Sequence, residues 1–478
     1  MNAHRTWPPL LAPLLALLGG CSLAPRYQVP AVAVVDHYKE AGEWVPANPA
    51  DAEPRGDWWQ AFGDPQLNQL QEQLRAASPE LQAATARYQQ ARAVALSAWS
   101  GLYPALGGSG SARRARSSAN APHAAGVSTL DNDFTFDGNV SWELDLFGRL
   151  RNQAVAARAR RQASAGDLAA LALALQAELT SDYFALRGND AIQQLFGQTV
   201  QAYDRAAELT RNRYDGGIAS ATDVEQAETQ RQSAAAQLAA LRLQRAQLEH
   251  AIAILLGQAP ANFALAPAPL EGALPPLGTP LPSTLLLRRP DVASAERQLA
   301  AANAGIGAAR AAWFPAFSLA GAAGYESTTS SNWLAAPSRF WAAGPALQLP
   351  LFDAGARVAH TRQAHAIFAE ALANYRQVAL TAYREVEDNL AALHYLGDGL
   401  AADEAAAAAA KQAAFHANQR YLAGVADYVE VTSTQTASLQ SQRAALETRI
   451  AQLNAAVALT RALGGGWSAQ QLERPLQP

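Results

Sequence analysis

One cysteine and one methionine occur in 478 residues. A lone cysteine excludes an intramolecular disulfide and a cysteine-rich zinc site. Charge is also scarce, at 16% of residues against the usual quarter. The 37 basic and 41 acidic side chains leave a net charge of −4. That balance excludes a broad nucleic-acid footprint, so no nucleic acid is expected as a partner. After residue 20 no stretch stays apolar for roughly eighteen residues, so no spanning helix is expected in the mature chain. Proline is missing between Arg149 and Tyr214 and again between Ala356 and Tyr421.

Catalytic constellations are missing too. The 8 histidines are scattered, and His360 and His365 do not have the spacing of a helical metal pair. Gly464-Gly465-Gly466 has no strand before it and no lysine after it, so it is no phosphate loop. There is no nucleophile elbow. The chain therefore reads as a non-enzyme with no catalytic residue, metal or cofactor.

What is present begins with an export signal, 1–20. His4 and Arg5 open it, Leu10 to Leu18 is apolar, and Gly19 and Gly20 are small. The apolar run is too short to span a bilayer and fits a signal peptide. Leu18-Gly19-Gly20-Cys21 then looks like a lipobox, in which Cys21 becomes the lipidated first residue. Buried acyl methylenes would tether it at ~0.8 kcal/mol each. Ser22, rather than Asp, points to the outer membrane.

The mature sequence repeats. Arg213-Tyr214-Asp215-Gly216-Gly217-Ile218-Ala219 recurs 207 residues later as Arg420-Tyr421-Leu422-Ala423-Gly424-Val425-Ala426. Pro79-Glu80-Leu81 and Leu102-Tyr103-Pro104-Ala105 recur 211 residues later as Pro290-Asp291-Val292 and Trp313-Phe314-Pro315-Ala316. Near-equal offsets in separate blocks mean a duplicated unit. The expected layout is a lipidated extended segment, 21–65; a first repeat, 66–265; a Pro-rich linker, 266–282; a second repeat, 283–466; and a tail, 467–478.

Each repeat starts with a moderate helix (66–100, then 283–312). Two strands follow, about 103–116 and 134–147, then about 314–327 and 338–352. A very long helix comes next (149–214, then 356–421). A glycine turn and a return helix end the repeat (222–256, then 429–463). Leu168, Leu171, Leu175 and Leu179 step by three and four, as do Val386, Leu390 and Leu393. At ~1.5 Å per residue the long helices reach roughly 100 Å.

Residues 134–145 alternate. Phe134, Phe136, Gly138, Val140, Trp142 and Leu144 share one face, and Thr135, Asp137, Asn139, Ser141, Glu143 and Asp145 the other. Such a strand is long enough to cross a hydrocarbon core at a tilt. Four strands leave two open edges, which lipid cannot satisfy. The chain must therefore oligomerise: a dimer would supply 8 strands, a trimer 12.

The sequence resembles the outer-membrane factor family of TolC-like efflux ducts, in its NodT-type lipoprotein branch. The likeness runs through Cys21-Ser22-Leu23-Ala24-Pro25-Arg26-Tyr27 and Trp58-Trp59-Gln60-Ala61-Phe62-Gly63-Asp64-Pro65. It continues in Trp142-Glu143-Leu144-Asp145-Leu146-Phe147-Gly148-Arg149 and Arg288-Arg289-Pro290-Asp291-Val292, and closes in Leu463-Gly464-Gly465-Gly466-Trp467.

The resemblance implies a mainly α fold with a membrane β-barrel. Three chains would share one 12-stranded barrel, continued by a long α-helical barrel. It implies a homotrimer anchored to outer-membrane lipid and extending into the periplasm. A periplasmic adapter and an inner-membrane pump of the RND type would be its partners. Small molecules would pass through it passively. The duct of a protein secretion system and a non-conducting periplasmic scaffold are the alternatives. The family pattern maps a periplasmic gate onto Val429, Glu430, Ser433 and Asp427. Ser433 departs from the Asp common there, so any acidic ring would rest on Glu430, with Asp427 beside it. Like charges around a three-fold axis would repel one another. Tyr214, Gly217, Tyr421 and Gly424 map onto adapter-docking tips.

Overall fold

The computed structural model describes residues 22–31, 38–40, 56–120, 128–272, 274, 275, 288–467 and 472. The signal segment and Cys21 lie outside the described residues, as do 276–287 and most of the tail. The helices are α1 (Pro65–Ala77), α2 (Pro79–Ser100), α3 (Arg149–Asp215), α4 (Ala221–Leu255), α5 (Pro290–Ala311), α6 (Ala356–Leu422) and α7 (Tyr428–Ala462). The strands are β1 (Ala105–Arg116), β2 (Leu130–Leu144), β3 (Ala316–Ser327) and β4 (Arg339–Gln348).

The duplication is visible in these bounds. α3 and α6 both have 67 residues, and α4 and α7 both have 35, each pair 207 residues apart. α2 and α5 both have 22 residues and β1 and β3 both have 12, each pair 211 apart. The change of offset falls between the hairpin strands, where β2 has 15 residues and β4 has 10.

Four of the expected boundaries differ. The first helix, read as continuous over 66–100, breaks at Ser78, whose backbone is non-helical (φ −58°, ψ 119°). Pro79 follows, and the residue before a proline is pushed out of the α region. β2 starts at Leu130, before Phe134, because Leu130 to Asp133 pair with Arg113 to Arg116. It ends at Leu144, not 147, because the Asp145 carboxylate accepts the Leu150 and Arg151 amides at 3.0 and 2.8 Å and starts α3. β4 ends at Gln348, two residues before Pro350, which has no N–H for a ladder.

The chain divides into two compact units. The first holds Tyr88–Ser164 and Ala295–Tyr375 with the N-terminal residues through Ala31. Its sheet is an antiparallel meander in the order β1-β2-β3-β4, and β1 and β4 have no further partner among the described residues. Register places Leu106, Phe136, Val140, Trp142, Leu319, Trp341 and Leu347 on one face. Ser109, Asp137, Asn139, Ser141, Glu143 and Ser318 occupy the other. The apolar face carries exposed Leu106, Phe136, Leu319, Trp341 and Leu347.

The second unit holds Val32–Arg87, Ala165–Ser294 and Arg376–Pro478. Trp59, Phe184, Leu67, Leu74, Leu179 and Leu186 are fully buried in it. The expected stripes face inward, with Leu175, Leu179, Val386 and Leu390 all buried. Asp190 accepts Arg187 at 3.1 Å and Arg245 at 2.7 Å, so the buried Arg187 and the half-buried Arg245 share one carboxylate. Arg187 and Arg245 also donate to the Ala266 and Leu265 carbonyls, which fixes the start of the Pro-rich linker. Among the described residues no helix is long and apolar enough to cross a membrane.

Candidate functional site

The mapped gate and docking residues gather at the two glycine turns, α3–α4 and α6–α7. Each turn closes alike. Gly217 donates to the Tyr214 carbonyl at 2.8 Å, and Ile218 to Arg213 at 2.8 Å. Gly424 donates to Tyr421 at 3.0 Å, and Val425 to Arg420 at 3.0 Å. Gly217 (φ 74°) and Gly424 (φ 76°) are left-handed, a conformation that glycine reaches without a Cβ clash. The residues that follow, Ile218 and Val425, project apolar side chains that are 71% and 66% exposed. The sequence reading did not single them out, although the repeat motif contains both.

The two tyrosines diverge. Tyr214 is 48% exposed, whereas Tyr421 is only 7% exposed. Tyr421 packs in a cluster with Ala227, Tyr428 and Val431, its ring 5.3 Å from that of Tyr428. The Arg213 guanidinium lies 4.6 Å over the Tyr421 ring and reaches its carbonyl at 3.5 Å. Burial pushes the Tyr428 phenol up to about 12. Tyr421 thus holds the turns together, while Tyr214 is offered to solvent.

Of the mapped gate residues, Asp427 stands at the start of α7 and makes no side-chain cap bond. Val429 and Ser433 are exposed, and their i, i+4 spacing puts them in one row. Glu430 is ion-paired to Arg420 across the turn at 2.7 Å. This partner was missed in the sequence because the two are ten positions apart on different helices. Its only signal was the recurrence of Arg213 as Arg420.

Residues 22–27 run antiparallel along α5. Arg310 donates to the Leu23 carbonyl at 3.4 Å, Asn303 to Pro25 at 2.9 Å, and Tyr27 to the Glu296 carboxylate at 2.5 Å. Ser22 reaches Asn152, in the first turn of α3, at 3.0 Å. A Cβ on Gly307 would lie 2.7 Å from that of Ala24, so glycine is what lets the segment lie down. Among the described residues no group of three or more His, Cys, Asp or Glu side chains could hold a metal ion.

A model of the family described as outer membrane efflux protein matches residues 70–258 and 281–465. The chain belongs to the outer membrane efflux protein family. Its two family segments correspond to the two structural repeats. The toluene efflux pump outer membrane protein TtgC of Pseudomonas putida is 34% identical over 473 residues, covering 96% of each chain. The cation efflux system protein CusC of Escherichia coli is 30% identical, over 94% of this chain and 96% of that one. The solved outer-membrane channel OprN superposes with a TM-score of 0.87 at 30% identity, covering 94% of this chain and 100% of OprN. This outer membrane efflux protein therefore has the mainly α fold with four β-barrel strands per chain, the fold of an efflux exit duct.

Proposed function

We propose that three copies form one outer-membrane channel, the exit duct of a tripartite efflux system that passes small molecules passively. The observation that carries it is the sheet: one face exposed and apolar, the other polar, with both edge strands open. Twelve strands from three chains close those edges and leave a water-filled interior lined by Asp137, Asn139, Ser141 and Glu143. Efflux pumps are what the relatives TtgC and CusC are named for.

Cys21 carries the lipid anchor. Residues 22–27, fastened along α5 with Ser22 against Asn152, support this, because Asn152 lies only eight positions beyond the end of β2. The gate lies at Val429, Glu430, Ser433 and Asp427. Here a ring of three Glu430–Arg420 pairs takes the place of a bare acidic ring, which lowers the mutual repulsion expected for Glu430 alone. A periplasmic adapter docks on Tyr214, Gly217, Gly424 and the exposed Ile218 and Val425, and an inner-membrane pump of the RND type supplies the energy.

Purified protein in planar bilayers tests the duct. Rare, small openings are expected for the wild type and larger, longer ones for Glu430→Ala with Val429→Ala. No conductance from either would remove the channel reading. For the anchor, Cys21→Ala should end labelling by a radiolabelled fatty acid.

A further inference from the structure

A cleft of about 970 Å³ opens between the end of α2 and the start of α3, inside the first unit. Arg92, Arg151, Arg158 and Arg161 line it, together with Leu96, Trp99, Leu102 and Val155. Arg151 is paired with Asp145 at 3.2 Å. Arg92, Arg158 and Arg161 have no ion-pair partner among the described residues. The sequence offers none nearby, since no Asp or Glu occurs between Glu80 and Asp131 or between Asp145 and Asp167. Leu96, Trp99 and Val155 are exposed. One cleft therefore presents three uncompensated cations and three uncovered apolar side chains.

The cleft is ordered along its helices. α2 runs toward the sheet and presents Arg92, Leu96 and Trp99 in one row, because residues three and four apart stack on a helix. α3 runs away from the sheet and presents Val155, then Arg158, then Arg161. Both walls are apolar beside the sheet and basic farther off, with Arg158 about 14 Å from the start of α3. Two contacts fix the side on which the cleft opens. Trp142, on the apolar face of the sheet, donates to the Leu102 carbonyl at 3.0 Å. Glu143, on the polar face, pairs with Arg149 at 2.6 Å. Nine positions, about two and a half turns, separate Arg149 from Arg158 and put them on opposite sides of α3. The cleft thus continues the apolar face of the sheet. The duplicated row on α5 is covered: Asn303, Gly307 and Arg310, 211 positions after Arg92, Leu96 and Trp99, meet Pro25, Ala24 and Leu23. On α2 the row lies exposed.

We propose that this cleft holds an anionic phospholipid of the membrane around the barrel. Its phosphate sits on Arg92, Arg158 and Arg161, and an acyl chain runs along Val155, Leu96, Trp99 and Leu102 toward the sheet. Read away from the sheet, chain and then phosphate is the order of a lipid monolayer at its water surface, and the side chains of the cleft follow the same order. Guanidinium groups suit a phosphate because their N–H groups pair with its oxygens two at a time. A zwitterionic headgroup brings a cation of its own, which three arginines repel, whereas a lipid of net negative charge is attracted. A soluble anion would use the arginines and leave Leu96, Trp99 and Val155 in water. The inference rests on the barrel reading of the sheet and goes beyond it, since it gives the surrounding lipid a fixed place on the protein.

The test places the full-length protein in phosphatidylcholine vesicles that carry a minor fraction of either brominated phosphatidylglycerol or brominated phosphatidylcholine. Bromine quenches tryptophan on contact. The share of Trp99 is read as the difference from Trp99→Phe, and that of Trp341, exposed on the apolar face of the sheet, as the difference from Trp341→Phe. Trp341 should be quenched alike by both lipids. Trp99 should be quenched several-fold more by the phosphatidylglycerol. Arg92→Gln with Arg158→Gln and Arg161→Gln should abolish that preference, and lysine at the same three positions should restore much of it. Arg160→Gln, on the Arg149 side of α3, should leave it intact. Quenching of Trp99 that ignores the headgroup, or no quenching of Trp99 while Trp341 is quenched, overturns the lipid site and leaves the duct standing. Loss of the preference in millimolar inorganic phosphate would show a soluble-anion site and overturn it as well. A Trp341 that neither lipid quenches removes the barrel reading together with the site.

Discussion

In the first glycine turn, Ser220 caps α4: its hydroxyl accepts the Asp223 amide at 3.2 Å, and the Asp223 carboxylate accepts the Ser220 amide at 3.0 Å. In the second turn the same two places hold Asp427 and Glu430. Asp427 makes no cap bond, and Glu430 reaches across the turn to Arg420 instead. Arg213, the counterpart of Arg420, lies over the Tyr421 ring. One backbone solution thus carries two charge arrangements. The first tip is closed on itself by local bonds. The second leaves its charges on a half-exposed pair that a partner can reach. Duplication supplied the scaffold, and divergence at three or four side chains gave the two tips different tasks.

The largest way to break this comparison lies on α3. Arg187 and Asp190 have His394 and Gly397 as counterparts, so the buried network belongs to the first repeat alone. Asp190→Ala leaves the buried Arg187 without its counter-charge, while Arg245 keeps Glu249 at 2.9 Å, and the expected loss is about 3–5 kcal/mol per chain. Urea unfolding followed by circular dichroism checks it, and Arg187→Met with Asp190→Ala should recover part of the loss. The next effect should be symmetric. Gly217→Ala and Gly424→Ala each force a left-handed alanine and should each cost about 1–2 kcal/mol. A clear inequality in thermal midpoint would show that the two turns are not equivalent.

The sequence revealed the duplication because offsets of 207 and 211 survive in every matched helix, and β2 because its alternation marks two faces. Those are properties of a single element. What stayed hidden depends on pairs of elements. Nothing local to Glu430 announces Arg420, and nothing in Tyr421 distinguishes it from Tyr214, which occupies the same motif but stands free. The segment 22–27 could not be placed on α5 before Gly307 was seen beneath Ala24. The break at Ser78 was legible, since Pro79 forbids a helical predecessor, and helix periodicity over 66–100 masked it.

Smaller substitutions sharpen the contrast between the tips. Ser220→Ala should cost about 1 kcal/mol by removing a working cap, whereas Asp427→Ala should change stability little. Parallel thermal melts of the two variants read this directly. The smallest effect has the opposite sign. The Asp182 carboxyl is pushed up to about 6, by burial first and then by Glu178, and its counterpart is the neutral Asn389. A carboxyl raised above its unfolded value weakens the fold once pH exceeds that value. The penalty is absent below about pH 4, grows up to about pH 6 and is constant beyond. Asp182→Asn should therefore raise the melting temperature by a few degrees at pH 7.5 and leave it unchanged at pH 4.

The matched lengths of α3 with α6 and of α4 with α7 set a rule for anyone wishing to stretch or shorten this molecule. A heptad inserted into one helix alone would slide its turn past its twin by roughly 10 Å. The rim would become ragged, and Arg213 would lose Tyr421. Only the same insertion in all four helices keeps the rim level, so reach is a collective property of the repeats and changes in whole, synchronised steps.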